Sequence, residues 1–435
     1  MTSPSPSALP SRSLADVVSC LSDYDPEALS VADAQRIIAD FVTPLQVVEK
    51  IALRTALGRV LASDVISSIN VPAQDNSAMD GYALRGSDLA EHAVQLHIVG
   101  TAFAGHAFDG NVGVGQCIRI MTGAVMPPEC DTVIAQEFTV DASEQHVTIP
   151  SGVVRVGDNR RMAGEDLKAG AAALRKGRLL QPSDLGILAS LGVAEVAVQR
   201  RLRVAFFSTG DELRSVGELL GPGCVYDSNR YTLYGMLSRL GCDLLDMGVV
   251  RDDPAALESA FRSACENADA IITSGGVSVG AADYTKQMMA QLGDVTFWKI
   301  GMRPGRPMAF GQIHSNGHSA FLFGLPGNPV AVMVTFYFLA RQALLRMMGA
   351  DATPLPLIPV RSSNAIRKKP GRTEYQRGIL HRDAHGNQAV TITGAQGSGI
   401  LRSMTEANCM VVLHDAQGTV QAGELVDVVL FDGLT

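Results

Sequence analysis

A short apolar strand, a glycine-rich loop and a helix, in that order, form the feature that most constrains this chain. The loop reads Thr273-Ser274-Gly275-Gly276-Val277-Ser278-Val279-Gly280 and lies between an apolar run at 270–272 and a helical pattern that begins at Asp283. This order turns backbone N–H groups toward an anion, and glycine allows close approach because it lacks a Cβ. The spacing matches neither the P-loop nor the dinucleotide-binding fingerprint. The loop therefore indicates a phosphorylated ligand, with Ser274 and Ser278 as hydroxyl donors and Asp283 placed to hold a metal or a polar ring.

Strands and helices alternate on both sides of this loop, across residues 200–350. Strands are predicted at 204–207, 243–250, 268–273 and 321–323, and helices at 229–240, 254–267, 283–292 and 329–348. Such alternation predicts a mainly parallel, doubly wound sheet. Ligands of these sheets bind at the carboxyl ends of the strands, where the glycine-bearing motifs fall.

The rest of the chain changes in pattern and predicts further domains. Residues 27–60 have helical spacing, short β-like runs occur at 97–99, 117–121 and 132–135, and another helix is indicated around 185–191. We predict a disordered tail at 1–24, a discontinuous linking and dimerisation domain at 25–64 and 160–199, an inserted β-rich domain at 65–159, the α/β domain at 200–352 and a small C-terminal β-barrel at 353–435.

Composition excludes several classes of protein. With a net charge of -8, a general nucleic-acid binder is not expected. The seven cysteines are dispersed without a C-x-x-C pair, so neither a zinc site nor a disulfide framework is indicated, which fits a reducing cytoplasm. No apolar signal segment is evident near the start of the sequence. The longest apolar stretch, 330–340, is too short to span a bilayer and ends at Arg341.

Two motifs lie at the ends of predicted strands or directly before helices. Ser208-Thr209-Gly210-Asp211-Glu212-Leu213 ends the first strand of the α/β domain, and its two adjacent carboxylates suit Mg²⁺ or a heterocycle; a capped turn is the alternative. Asp227, Ser228 and Asn229 precede a helix, where an N-cap role is a sufficient explanation.

A second glycine loop faces the same edge of the sheet. In Gly324-Leu325-Pro326-Gly327-Asn328-Pro329, helix capping explains Asn328 and Pro329. Capping does not explain Leu-Pro-Gly directly after a buried strand, which indicates a concave backbone loop. Two such loops on one edge favour a ligand site.

A basic segment and two further acidic loops complete the candidate groups. The segment 299–307 carries Lys299, Arg303 and Arg306 between prolines and glycines, and arginine forks match tetrahedral oxyanions; a solvated turn is the alternative. Asp80 and Asp166 lie in loops within and just after the β-rich part, where each could simply stabilise a turn. No arrangement typical of nucleophilic catalysis is evident.

Together these strings resemble the molybdopterin molybdenumtransferase family, which includes MoeA and the gephyrin E domain. The resemblance covers the chain from about residue 25 to its C-terminus and rests on five strings, 75–83, 119–124, 208–213, 273–280 and 324–329. It implies four structural domains, a MogA/MoaB-like α/β domain and an elongated homodimer. It also implies insertion of molybdate into adenylylated molybdopterin with release of AMP, with Mg²⁺ as cofactor and a MogA-like adenylyltransferase as a partner.

The resemblance also implies roles for individual residues. It implies that the functional carboxylates are Asp80, Asp166, Glu212, Asp252 and Asp283, with Asp252 and Asp283 holding the metal. It places Lys299, Arg303 and Arg306 near molybdate, and Arg377 and Ser398 of the C-terminal domain in the same oxyanion site. In the dimer that the family implies, we expect Asp80 to reach the α/β-domain site of the other subunit.

Three departures from the family pattern involve four positions. Arg303 and Arg306 stand where the family usually has lysines, Ala331 stands where serine is frequent, and Gly399 stands where histidine is frequent. Arginine keeps the positive charge, so molybdate binding remains the expectation. A tungsten-inserting paralogue and a non-catalytic molybdopterin-binding scaffold are the two alternatives.

Overall fold

The computed structural model describes residues 13–19, 24–276 and 283–431, and no side chain of 283–287 is described. Contacts divide the chain into two compact units. One comprises residues 50–57 and 63–197, and the other comprises residues 1–49, 58–62 and 198–435. The finer domain boundaries expected from the sequence stay predictions.

Helices occur in both units. Their bounds are α1 Leu14–Val18, α2 Val31–Phe41, α3 Pro182–Ser190, α4 Ser228–Arg239, α5 Pro254–Asn267, α6 Asp283–Leu292, α7 Pro329–Thr335, α8 Arg341–Met347 and α9 Arg402–Glu406. Helix α1 packs Leu14 and Val17 into the core, so the disordered tail expected over 1–24 does not hold for these residues.

The unit of residues 50–57 and 63–197, called the β-rich unit below, is built from short strands. The strands up to residue 199 are β1 Val48–Ala52, β2 Val65–Ile66, β3 Asn76–Ser77, β4 Gly81–Leu84, β5 Val94–Ala102, β6 Gln116–Ile120, β7 Thr132–Ala135, β8 His146–Ile149, β9 Arg160–Arg161, β10 Ala172–Leu174 and β11 Glu195–Gln199. A five-stranded sheet has the order β7-β4-β6-β5-β8. The strands predicted at 97–99, 117–121 and 132–135 are its β5, β6 and β7. The helical expectation for residues 27–60 is correct only for α2, because Pro44 follows that helix and β1 begins at Val48.

The α/β domain follows. Its strands are β12 Arg203–Thr209, β13 Leu213–Arg214, β14 Val225–Tyr226, β15 Asp243–Val250, β16 Ala270–Ser274, β17 Gly293–Lys299, β18 Met302–Arg303, β19 Pro307–Ser315 and β20 His318–Leu325. The main sheet has the order β15-β12-β16-β20-β19-β17. Strands β15, β12, β16 and β20 are parallel, which confirms the predicted parallel core. Strands β19 and β17 add an antiparallel edge that the sequence interpretation missed.

Local sequence explains why the helices begin and pack as they do. In α5, the Asp253 carboxylate caps the helix by accepting from the Ala256 N–H at 2.9 Å, and Pro254 occupies the first turn. Leu257, Phe261 and Ala264 recur on one face and are buried. The Phe261 ring packs edge-on against Phe207 of β12, with ring centroids 5.2 Å apart.

A long apolar helical segment at 329–347 packs on the sheet. It consists of α7, a π-helical turn at Phe336–Ala340 and α8. Among the described residues this segment is long and apolar enough to cross a membrane, but most of it is buried in the protein. It extends beyond the 330–340 stretch considered from sequence, and it is the core helix of the α/β domain.

The C-terminal strands close into a barrel. They are β21 Ile358–Ser362, β22 Thr373–Arg382, β23 Gln388–Ile392, β24 Cys409–Leu413 and β25 Leu425–Leu430. The order β22-β23-β21-β25-β24 returns to β22 through an additional β22–β24 pairing, so five strands form a closed barrel. This confirms the predicted C-terminal barrel. Strand β18 pairs with β22 and so connects the barrel to the segment before β19.

Candidate functional site

A cavity of about 690 Å³ opens at the carboxyl ends of the parallel strands. It contains many of the residues predicted from sequence, which come from four strand-end loops, helix α4, strand β18 and the C-terminal domain. The predicted residues that line it are Thr209, Gly210, Glu212, Asn229, Asp252, Ser274, Gly275, Gly276, Arg303, Pro326, Gly327, Asn328 and Ser398. The sheet edge is thus one site, as expected for an open α/β sheet.

The strand order arranges charge along this edge. Asp252 follows β15 and Glu212 follows β12, whereas the glycine loops follow the central strands β16 and β20. Strand β19 is antiparallel to β20, with Ala309 opposite Gly324, so its first residues and the preceding Arg303 come to the same edge. Four inter-strand spacings of about 4.8 Å separate β15 from β19, so these two strands lie about 19 Å apart. The cavity therefore runs from an acidic end through neutral glycine loops to a basic end.

The two glycine loops approach each other closely. Gly275 has φ +94°, and a Cβ there would lie 2.5 Å from the Thr209 carbonyl oxygen. Its N–H donates to the Leu325 carbonyl at 3.1 Å. At Gly327 an added Cβ would, among the described residues, meet only the Gly275 Cα, at 3.8 Å. Backbone conformation and contact both require glycine at 275, whereas the space at 327 is open.

Asn229 connects the two loops. Its side-chain N–H₂ group donates to the Ser274 hydroxyl and to the Gly327 carbonyl, each at 2.7 Å. The sequence interpretation explained this residue by helix capping, but the cap of α4 is Asp227, which accepts from the Arg230 N–H at 3.1 Å and from the Ser208 hydroxyl at 2.9 Å. Asn229 therefore positions both loops.

Several buried polar atoms around the loops lack a partner among the residues that the structure describes. They include Thr209 Oγ1, Asn229 Oδ1 and Asp227 Oδ2. Buried polar groups in native proteins are rarely unsatisfied. Since Thr209 and Asn229 line the cavity, their free atoms are available to a bound ligand.

The acidic end consists of Asp211, Glu212 and Asp252. Burial raises the pKa of Asp252, and repulsion from Asp211 and Glu212 adds to the effect. Asp211 itself lines an adjoining cavity, and its carboxylate accepts from the Asp252 N–H at 3.4 Å. Among the described residues no three His, Cys, Asp or Glu side chains form a metal-binding group. A cation at this end would need further oxygen ligands from the substrate.

The basic end consists of Arg303, which lines the cavity, and the barrel residue Arg377, which does not line it but lies against the lining residue Gly397. Arg377 is fully buried, and burial, together with the charge of Arg303, lowers its pKa to about 10. Its guanidinium donates to the Gly397 carbonyl at 3.1 Å, and Gly397 lines the cavity beside Ser398. The Ser398 carbonyl accepts from the Val330 N–H at 3.0 Å, so the barrel loop contacts the first turn of α7.

Other predicted residues of this unit do not line the cavity. Lys299 forms an ion pair with Glu27, and Arg306 is exposed. Ser228 is half-buried in the first turn of α4, and its carbonyl accepts from the Thr232 hydroxyl at 3.0 Å. Of the three basic residues in the segment 299–307, Arg303 is the one that lines the cavity.

Comparisons with known proteins match this architecture along most of the chain. The models for the MoeA N-terminal region (domain I and II), a probable molybdopterin binding domain and the MoeA C-terminal region (domain IV) match residues 29–192, 205–346 and 359–431. The molybdopterin molybdenumtransferase of Haemophilus influenzae is 42% identical over 388 residues, which are 89% of this chain and 94% of that protein. A Nostoc protein of the same name is 36% identical and covers 91% of this chain and 92% of its own length.

The chain belongs to the molybdopterin molybdenumtransferase family. Its members are transferases, and this chain is therefore an enzyme of that class. A crystal structure of the molybdopterin biosynthesis moeA protein from Pyrococcus horikoshii superposes with a TM-score of 0.78 at 26% identity and covers 93% of this chain and all of that one. The resemblance inferred from sequence strings is confirmed.

Of the remaining carboxylates expected from the family, two belong to the β-rich unit and one lies outside the described side chains. In the β-rich unit, Asp80 is exposed and accepts from the Thr122 N–H and hydroxyl, both at 2.7 Å, which lowers its pKa. Asp166 in the same unit is also exposed. Ser278 and the Asp283 side chain lie outside the described residues, so their assigned roles stay predictions.

Sequence reasoning missed residues that the molybdopterin molybdenumtransferase fold brings to the cavity. Gln396 and Gly397 line it, directly before Ser398. Pro304 and Gly305 line the cavity beside Arg303; Gly305 has φ +100°, and an added Cβ would lie 2.4 Å from the Thr335 hydroxyl oxygen.

Proposed function

We propose that this chain inserts molybdate into adenylylated molybdopterin and releases AMP, with Mg²⁺ as cofactor. The observation that supports this most is the order of groups along the cavity, with carboxylates at one end, glycine loops in the middle and Arg303 at the other. Adenylylated molybdopterin carries a phosphoanhydride, which calls for a cation and for backbone N–H donors. Molybdate is a tetrahedral oxyanion, which calls for positive charge. Family membership supplies the reaction class.

In this proposal the glycine loops hold the phosphate and pterin part of the substrate. Gly275, Gly276 and Gly327 let the backbone approach closely, and Asn229 keeps the two loops together. Thr209 Oγ1 and Asn229 Oδ1 remain available for polar atoms of the ligand. The contribution of this region is positioning, which converts an encounter between two substrates into a reaction within one site.

Arg303 and Arg377 neutralise the tetrahedral oxyanion. An anion bound near both guanidinium groups would stabilise their charged forms, because it offsets both their mutual repulsion and the loss of solvation. Ser398 adds a polar residue from the barrel loop, and Gln396 holds the backbone of Arg377. No protein nucleophile is required, because charge neutralisation and proximity supply the catalysis.

Glu212 and Asp252 suit Mg²⁺ bound together with substrate phosphates. Magnesium usually uses one or two carboxylates plus phosphate and water oxygens rather than a complete protein cage. The raised pKa of Asp252 fits this role, because a cation would relieve the repulsion from Asp211 and Glu212. When bound, Mg²⁺ would stabilise the charge that develops as the phosphoanhydride breaks. Asp283 is proposed as a further ligand on family grounds.

We also propose that the chain is a cytoplasmic homodimer that receives its substrate from a MogA-like adenylyltransferase. The family resemblance supports both partners, and the absence of C-x-x-C pairs and of a disulfide framework supports a reducing compartment. Light scattering tests the assembly: a mass twice the 46.0 kDa of one chain is expected, and a monomer would refute the dimer.

One incubation tests the reaction and its alternatives. The purified chain is mixed with adenylylated molybdopterin, Mg²⁺ and either molybdate or tungstate, and AMP is quantified. AMP release that requires molybdate supports the proposal. Release that requires tungstate would instead identify a tungsten-inserting enzyme, and no release with either metal, despite binding of molybdopterin, would identify a scaffold.

A further inference from the structure

The environment of Arg377 is unusual for a charged side chain. Arg377 on β22 has 0% of its surface exposed. Among the described residues, no carboxylate lies within ion-pair distance of it, and its pKa is lowered. A buried guanidinium without a counter-ion is costly, so the surrounding protein must hold it for a reason other than an internal ion pair.

The protein occupies one edge of the guanidinium and leaves the other free. Arg377 Nε donates to the Ser403 hydroxyl at 2.9 Å. Nη2 donates to the carbonyls of Gly397 at 3.1 Å and Ala395 at 3.4 Å. Nη1 is buried and has no partner within the described part of the chain. The planar fork has its Nε and Nη2 donors fixed, so the Nη1 donors are the ones left for an anion.

Ser403 is oriented to serve only as an acceptor for this arginine. Its hydroxyl donates to the Ile400 carbonyl at 2.6 Å. A serine hydroxyl has one proton to donate, so the lone pairs that remain accept from Arg377 Nε. Ser403 is 4% exposed and does not line the cavity.

Gln396 fixes the backbone of the same arginine. Its side-chain oxygen accepts from the Arg377 N–H at 2.9 Å, and its amide N–H₂ group donates to the Arg377 carbonyl at 3.2 Å and to the Thr393 carbonyl at 2.7 Å. With the backbone of Arg377 held by Gln396, the remaining freedom is rotation of the long side chain. The Ser403 contact at Nε, together with the carbonyl contacts at Nη2, removes that freedom.

We infer that Ser403 is a positioning residue for oxyanion binding: it holds Arg377 Nε so that Nη1 is presented to a tetrahedral oxyanion. This inference rests on the proposed function, which supplies molybdate as the anion. Ser403 acts through Arg377, so its loss should weaken oxyanion binding and leave the step that releases AMP at saturating molybdate largely unchanged.

The test compares Ser403→Ala with Ser362→Ala. Ser362 is a matched control: it lies in the same barrel, is 1% exposed and donates to the Asn364 carbonyl at 2.6 Å, but it has no hydrogen bond to Arg377. Ser403→Ala should raise the KM for molybdate about tenfold, the effect of removing a hydrogen bond to a charged group, with kcat little changed. Ser362→Ala should leave both near wild type.

Two further measurements keep the inference testable. Ser403→Cys is nearly isosteric and retains a weak acceptor, so it should fold and give a smaller rise in KM; it carries the test if the alanine variant does not fold. An unchanged KM in the Ser403 variants, or an equal rise in Ser362→Ala, would overturn the inference.

Direct binding of molybdate, measured by calorimetry with molybdopterin present, separates this inference from the proposed function. If the wild-type chain binds molybdate more tightly than Ser403→Ala but releases no AMP, the proposed function fails and the role of Ser403 stands. If the wild-type chain neither binds molybdate nor releases AMP, both fail.

Discussion

The two ends of the cavity are built in different ways. The acidic end takes Glu212 and Asp252 from loops that directly follow neighbouring strands of one sheet. The basic end combines Arg303, which precedes an antiparallel edge strand, with Arg377 from a separate barrel. The acidic end is exposed and its charges repel, whereas the basic end contains a fully buried cation. One end is thus suited to an exchangeable metal ion and the other to a fixed anion site.

This difference shows how two charged substrates can be kept apart and still share one cavity. Between the ends lie the loops at Gly275 and Gly327, which contribute backbone without charge. If the ends serve different ligands, substitutions at one end should change the requirement for one ligand only. The following predictions test that separation, beginning with the largest expected effect.

Arg377→Met should lower AMP release by about 100-fold or more, because it removes a preorganised cationic donor from a buried site. The loss should appear mainly in the molybdate requirement and leave the Mg²⁺ requirement unchanged. Arg402→Met is the control, since Arg402 is exposed on the nearby helix α9 and pairs with Glu406. Equal changes in both requirements would show that the two ends are not independent.

Gly275→Ala should damage both the fold and the activity. The φ of +94° and the 2.5 Å contact with the Thr209 carbonyl should lower the free energy of unfolding by about 1–3 kcal/mol. Gly327→Ala, with open space around its Cβ, should instead retain stability and weaken binding of adenylylated molybdopterin. Thermal melts and binding titrations distinguish the two, and equal stability of both variants would contradict the assigned difference.

Asp252→Asn should raise the Mg²⁺ concentration needed for half-maximal AMP release by about tenfold, as expected for loss of one charged ligand, with no change in the molybdate requirement. Asp243→Asn, at the opposite end of β15, is the matched control. A Mg²⁺ requirement equal to wild type would remove Asp252 from the metal site.

The same residue predicts a pH dependence of stability without Mg²⁺. Because the folded-state pKa of Asp252 is raised, the folded protein binds this proton more tightly than the unfolded chain does. The contribution of Asp252 to stability should therefore increase as the pH falls through its folded-state pKa, and Asp252→Asn should abolish that increase. If the wild type instead loses stability more steeply than the variant as the pH falls, the predicted direction of the pH dependence is wrong.

The smallest effect is expected within the basic segment. Arg303→Ala should raise the KM for molybdate several-fold, whereas Arg306→Ala should change it by less than about twofold, as is usual for an exposed charge outside a binding site. Both arginines are exposed, but Arg303 lines the cavity and Arg306 does not. Equal effects would restore the sequence-based expectation that both arginines contact the oxyanion.

The sequence predicts the acidic end and the centre of the cavity better than the basic end. Strand-end motifs such as 208–213 and 324–329 follow apolar runs that are easily recognised, and parallel strands bring their ends to one edge. The helices predicted at 254–267 and 283–292 have the same bounds in the structure.

The basic end depends on long-range geometry that no local pattern contains. The antiparallel strands β17 and β19 were not predicted, so the edge position of Arg303 could not be derived. Arg377 and Ser403 are joined across the barrel by a hydrogen bond between residues 26 positions apart. The family resemblance named Arg377, but only the fold shows which of its donors is free.

The hydrogen bond from the Val330 N–H to the Ser398 carbonyl offers a way to measure whether a ligand occupies the cavity. It ties the amide of the first turn of α7 to a loop that lines the cavity. Any ligand that steadies this loop should slow deuterium uptake at Val330, even though the residue is itself buried in the core. The exchange rate of one amide can therefore report, in the intact enzyme and without turnover, whether the barrel side of the cavity is filled.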